Sequence, residues 1–310
     1  MIISQLTNGF GNQMFQYAAA RALAAANNTE LKLDLQWYER TFPDTTPRRF
    51  QMDIFNITAP IASKKEIKKM VKKSPFGLIN KFKRFLALIG LKHKKLYSEK
   101  HYHYDPGLQK RTPPLYMEGY FQSYKYFQNI ENIIRKEFTL KKQLPGEAKK
   151  IAETMDKSES ISLHIRRGDY VSRKVTSRFH GTCTPQYYQK AIDTVIEKIS
   201  AKEPQKAGNI RFFVFSDDTA WVKENIKIPG AAPDEAPANI HYVTDLGFRD
   251  YEEMALMAHC KHNILANSSF SWWGAWLNPD PHKIVIAPIH WFAEGKINTA
   301  DLIPPEWVRV

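Results

Sequence analysis

At 310 residues, 43% hydrophobic and 25% charged, the chain has the length of two ordinary domains and the composition of a soluble globular protein. Two distant cysteines, Cys183 and Cys260, argue against a disulfide framework or a cysteine-built metal cluster, and no stretch reaches the roughly 18 apolar residues of a membrane span. The formal charge of +13 is uneven: from Lys64 to Lys100, thirteen Lys or Arg stand against two Glu, a net of +11, which describes a partner surface and not a fold.

Met1–Leu6 is short for a signal peptide and lacks a basic lead-in, so a cytoplasmic location is expected. Residues 2–6 predict a first strand, Thr7–Gln13 a glycine turn, and Met14–Ala26 a helix with Phe15, Ala18, Ala19, Ala22 and Leu23 at helical spacing. Leu31–Leu35 predicts a second strand. Strand, glycine loop, helix and strand make a right-handed parallel crossover, with the loop at the carboxyl end where open α/β sheets place ligands. Gly9, Gly11 and Asp34 invite a dinucleotide reading. Met14 at the third glycine position opposes it, because a side chain there impairs close helix–strand packing.

Trp37–Pro60 reads as irregular. The insertion over about 61–100 carries the basic excess. Within it, 75–91 predicts an amphipathic helix with Ile79, Phe82, Leu86 and Ile89 on one face, which either meets an anionic membrane or packs on the core. Leu115–Phe127 predicts a strand running into an aromatic turn. The polar stretch Lys141–Lys157, with Pro145 and Gly146, marks a boundary between domains 1–150 and 151–310. The second half repeats the rhythm, with strands expected at 161–166, 210–216, 240–243, 262–266 and 283–287 and helices at 185–200, 218–226, 250–260 and 270–277. The expected class is α/β, two Rossmann-like domains facing across a cleft.

Four clusters fall at strand ends or helix starts. Gly9–Asn12 offers glycines and helix amides to a phosphate or sugar. His164, Arg166, Arg167 and Asp169 follow the strand at 161–166; arginine presents a fork that matches phosphate oxygens in pairs and stays charged, although such a pair also forms ordinary surface salt bridges. Ser216, Asp217 and Asp218 follow another strand, suited to a ribose hydroxyl or to an N-cap. Asn267–Gly274 puts three serines ahead of an aromatic helix, with Trp272 and Trp273 as core. There is no Asp-x-Asp and no set with metal spacing, so protein cations are expected to stabilise a leaving phosphate.

The segments GFGNQMFQYA at 9–18, GYFQS at 119–123, HIRRGDY at 164–170 and NSSFSWWGAWL at 267–277 together resemble the bacterial alpha-1,2-fucosyltransferases of glycosyltransferase family eleven, in order and over essentially the whole chain. One departure is Tyr124, where many relatives have Glu; it bears on the acceptor, not the donor. The resemblance implies a GT-B-type fold and an inverting, metal-independent transfer of fucose from GDP-fucose, with no cofactor. It implies that the second domain binds the nucleotide. Arg166 would be the catalytic contact to the β-phosphate, supported by Arg167 and His164, with Asp169 of the same motif among the donor-binding residues. Ser268, Ser269 and Phe270 would line diphosphate and fucose, Ser216 and Asp217 would border the nucleotide, Glu253 would read guanine, and Asn12 would approach from the first domain. The implied partners are GDP-fucose and an oligosaccharide or lipid-linked acceptor, without nucleic acid; the basic segment, independently of the resemblance, suits peripheral contact with an anionic inner leaflet. The expected linkage is to O-2 of a terminal galactose in surface polysaccharide or lipopolysaccharide. Asp34, Glu118 and His180 are candidates for the base. The rival classes are a NAD-dependent oxidoreductase and a non-catalytic glycan-binding protein, separable by binding of GDP, UDP and NAD.

Overall fold

The computed structural model describes residues 1–40, 47–71, 95–168, 171, 179–229, 239–293 and 297–310. Asp169 and the stretch 75–91 lie outside them. Two compact units emerge, Met1–Thr139 and Leu140–Val310.

In the first unit, β1 (Ile2–Gln5), α1 (Phe10–Ala26) and β2 (Leu31–Asp34) form the expected crossover. The helix begins earlier than the glycine turn suggested: Gly9 is its N-cap, and Gly11 is buried inside it. The chain continues through α2 (Lys64–Met70), β3 (Leu96–Ser98), α3 (Pro106–Gln109), β4 (Leu115–Glu118) and α4 (Glu131–Glu137). All strand pairs are parallel, in the order β2-β1-β4-β3. Both faces are covered. Ile67 and Met70 of α2 pack with Ile3 and Tyr116, while Met14, Phe15 and Ala18 of α1 are fully buried. Phe10 stacks on Phe55 with centroids 5.5 Å apart, so the apparently irregular stretch before Pro60 supplies core as well as loop.

The second unit runs α5 (Gly146–Asp156), β5 (Glu159–Ile165), α6 (Pro185–Lys202), β6 (Ile210–Ser216), α7 (Thr219–Asn225), β7 (Ile240–Tyr242), α8 (Asp250–His259), β8 (His262–Ile264), α9 (Ser269–Leu277), β9 (Val285–Ala287) and β10 (Val308–Arg309). The polar stretch expected to hold the boundary is helix α5. Its Ala148, Ala152 and Met155 recur at helical spacing and pack on Phe213 and Phe215, which places it in the second unit and the division at 139/140. Phe212 and Val214 point to the other face, against Tyr188, Ile192 and Val195 of α6. Helices on both faces explain why β6 reads as an unbroken apolar run.

The six strands are parallel in the order β10-β9-β8-β5-β6-β7. Counted from β5, this is the doubly wound order 3-2-1-4-5-6 of a Rossmann sheet. The chain changes direction across the sheet between β5 and β8, so a crevice opens outside their carboxyl ends. Among the described residues, no helix is long and apolar enough to cross a membrane.

Candidate active site

β5 is buried along its whole length, and Arg166 is the first residue beyond it. The strand therefore carries two arginines to the carboxyl edge at the switch point. Each is held by its own aspartate from the loop after β6. Arg166 Nη1 lies 2.8 Å from Asp217 Oδ2. The same carboxylate accepts from the backbone amides of Arg167 at 2.8 Å and Gly168 at 3.0 Å through Oδ1. A Cβ on residue 168 would lie 2.8 Å from Asp217 Oδ2, so glycine is needed here for the close approach. Arg167 Nε lies 3.2 Å from Asp218 Oδ2, and its guanidinium sits 3.9 Å from the ring centroid of Trp221. Stacking and pairing together fix the plane of that side chain. Asp218, not Ser216 or Asp217, caps α7, accepting from the Trp221 amide at 3.2 Å. Ser216 Oγ in turn accepts from the Asp218 amide at 3.0 Å.

His164 stands two residues before Arg166 and is 6% exposed. Burial, then the adjacent Arg166 charge, push its pKa down to about 3, so the imidazole is neutral. Its buried Nδ1 has no hydrogen-bond partner, and its ring lies 5.7 Å from that of Phe270. A neutral ring beside two cations leaves the positive charge of the site to the guanidinium groups.

Glu253, in α8, lies close enough to Asp217 to feel its charge. Burial raises its carboxyl to about 7; Asp250 and Asp217 add to the rise, and a hydrogen bond from Thr244 opposes it. Thr244 Oγ1 also accepts from the Ser216 amide at 3.0 Å, tying this carboxyl to the end of β6. Across the switch point, Ser268 caps α9 and accepts from the Phe270 amide at 3.3 Å. Trp272 and Trp273 are fully buried, as expected of core residues.

His164, Arg166, Arg167, Ser216, Asp217, Glu253, Ser268, Ser269 and Phe270 thus converge on one edge of the second sheet. Asn12 is on the first unit, where its Oδ1 accepts from Gln122 Nε2 at 2.8 Å. The base candidates fare differently. Asp34 is 2% exposed and accepts from Tyr116 Oη at 2.6 Å and the Gln36 amide at 2.8 Å, a structural role. Glu118 takes the Ser98 hydroxyl. His180 packs against Phe179 and Phe292. Thr244 escaped the sequence reading because a single threonine outside any motif carries no signal. Asn267 escaped in another way. Counted with the serine block, it is a clamp: its Nδ2 donates to the carbonyls of His180, Gly181 and Trp291 at 3.0, 3.3 and 3.1 Å.

The sequence matches the family model for glycosyl transferase family 11 over residues 2–310, and the chain belongs to that family. It is 33% identical to an alpha-1,2-colitosyltransferase of Escherichia coli, over 100% of this chain and 99% of that protein. It is 32% identical to the O-antigen biosynthesis glycosyltransferase WbnK of Escherichia coli, over 99% of each. To the galactoside alpha-(1,2)-fucosyltransferase 1 of Homo sapiens it is 26% identical, over 86% of this chain and 63% of that one. Among solved structures it is similar to the fucosyltransferase NodZ from Bradyrhizobium, with a TM-score of 0.46, 15% identity and coverage of 90% of this chain and 93% of that one.

Proposed function

We propose that this family 11 glycosyltransferase moves L-fucose from GDP-fucose to O-2 of a terminal galactose in a surface polysaccharide or lipopolysaccharide, with inversion and without a metal ion. The observation that carries the reading is the convergence of Arg166 and Arg167 with the serine-capped start of α9 at the switch point of the second sheet. A crevice of that kind, lined by guanidinium groups and helix amides, suits the diphosphate of a nucleotide sugar.

In this reading the acceptor hydroxyl attacks the anomeric carbon as GDP departs, and negative charge grows on the β-phosphate. Arg166 stabilises that charge more than it stabilises the ground state, because the extra charge exists only as the bond breaks. Arg167, fixed by Asp218 and Trp221, adds a second cation at a set distance. Glu253 in its ionised form accepts from guanine N1–H and the exocyclic amine, which selects guanine over uracil and adenine. Ser268 and Ser269 offer donors to the diphosphate, and Phe270 with His164 borders the sugar.

A second donor is favoured by one comparison. The 33% identical relative is a colitosyltransferase, and colitose is fucose without its 3-hydroxyl. Calorimetry with GDP, UDP and NAD tests the nucleotide. Hydrolysis of GDP-fucose against GDP-colitose tests the sugar, and NMR of the product gives the linkage. Tighter binding of UDP or NAD than of GDP would sink the reading. So would activity that is abolished by EDTA and restored only by a divalent metal.

A further inference from the structure

The first turn of α6 carries two tyrosines beneath the two banks of the second sheet's switch point. Arg166 is the first residue beyond β5 and Leu265 the first beyond β8, and the two strands are parallel neighbours. Thr184 caps the helix, its Oγ1 accepting from the Tyr187 amide at 3.2 Å, and Pro185 opens the first turn. The cap therefore fixes where both tyrosines leave the helix, and their rings meet at 64° with centroids 5.0 Å apart. Tyr187 holds the β8 bank: its Oη donates to the Leu265 carbonyl at 2.5 Å.

Tyr188 stands under the β5 bank and is placed differently. It is fully buried, in one apolar cluster with Leu163, Ile165 and Cys183. Its hydroxyl meets no partner in hydrogen-bond geometry. Burial, then the neighbouring Cys183 and Tyr187, hold the phenol well above its usual range, so it is neutral and can both donate and accept; the Arg166 backbone amide lies near enough to oppose that rise. Cys183 in turn donates from Sγ to Asn267 Oδ1 at 3.6 Å, on the β8 bank. A hydroxyl buried without a bond is costly, and a phenylalanine would fill the same space without that cost. None of the donor contacts described above uses it. The backbone it adjoins belongs to the residue whose guanidinium is tethered to Asp217 at 2.8 Å.

We propose that Tyr188 is a positioning residue whose hydroxyl accepts from the Arg166 amide when the Arg166 side chain closes on the donor's diphosphate, fixing the backbone that aims the guanidinium. The bond is unmade in the structure and complete in the loaded site, so its free energy goes to the loaded geometry and not to the fold. Tyr187 is the opposite case, because its bond to Leu265 is already formed. The assignment rests on the proposed function, since it is the diphosphate that draws Arg166 into place.

The test compares the full chain with Tyr188→Phe. The expected variant is at least as stable as its parent in denaturant unfolding, while its kcat with GDP-fucose falls about tenfold and its acceptor KM changes far less. A purely structural tyrosine would give the reverse, as Tyr187→Phe should by stranding the Leu265 carbonyl. Hydrogen exchange read by mass spectrometry on peptides covering Arg166 gives a second measurement: saturating GDP should slow exchange in the parent, and clearly less in Tyr188→Phe at equal occupancy. Unchanged kcat in a stable Tyr188→Phe would overturn the proposal, and so would lost stability with unchanged kcat per folded molecule. The parent's exchange decides even where the variant does not fold, because no slowing at Arg166 under saturating GDP would also overturn it. A parent chain that never binds GDP would remove the donor reading and this assignment with it, whereas GDP binding with an indifferent Tyr188→Phe removes this assignment alone.

Discussion

Arg166 and Asp217, fifty-one residues apart in sequence, meet at 2.8 Å, and the same carboxylate holds the two amides that follow Arg166. Asp217 therefore acts on both the arginine and the turn that carries it. Two effects of the aspartate compete. It orients the guanidinium, and it offsets charge that would otherwise serve a phosphate. Both side chains are about one-quarter exposed, so solvent weakens the Coulombic part and orientation should win. Replacing Arg166 with Ala, or with Lys, which cannot reproduce the fork, is expected to lower kcat by about 10² or more. Asp217→Asn keeps the shape and an acceptor for the amides, and is expected to lower kcat by only about tenfold. Steady-state kinetics with GDP-fucose would check both. An Asp217→Asn enzyme faster than its parent would show that charge competition, not orientation, is the larger effect.

Glu253 gives a pH signature with two opposite arms. Its carboxyl is raised to about 7, so the folded chain binds the proton more tightly than the unfolded chain. Its contribution to stability is full below the ordinary carboxyl range and is lost as pH rises through about 7. Guanine recognition needs the ionised form, so donor affinity should run the other way and strengthen by about tenfold between roughly pH 6 and 8. GDP-fucose is the right probe, because its diphosphate diester does not titrate in that window. Calorimetry at several pH values, repeated with Glu253→Gln, separates the group from its surroundings. A profile that stays steep in the glutamine variant would assign the titration to another residue.

Asn267 is expected to behave as a structural residue despite its place in the serine block. Its amide joins the loop at 180–181 to Trp291, and its Oδ1 accepts from Cys183 Sγ at 3.6 Å. Asn267→Leu leaves buried carbonyls without that donor, at a cost of about 1–3 kcal/mol for each group stranded. Denaturant unfolding should show a large loss of stability. A variant as stable as its parent that fails only in binding GDP would instead make Asn267 a ligand contact.

Much of the fold was legible because burial is written locally. The alternating run ending at Ile165, the Ala-rich helix after Gly9 and the unbroken apolar stretch at 210–216 each declare an element within a few residues. Short edge strands were not legible. Leu96–Ser98 and Val308–Arg309 are three and two residues long and contribute little periodicity. Helix α5 was hidden by its polar faces, since only Ala148, Ala152 and Met155 show the buried side.

The arginine pair, the serine-capped helix and the acidic loop are properties of the sequence itself: their residue types and their positions beside strand ends follow from local pattern. Which aspartate serves which arginine, that Thr244 ties Glu253 to the end of β6, and that Asn267 is a clamp were decided by tertiary structure alone. Strand order sets those meetings. In a parallel sheet, neighbours such as β5 and β8 are separated by whole crossover units, and hydrogen-bond partners gathered at their ends lie fifty or a hundred residues apart, beyond the reach of any local period.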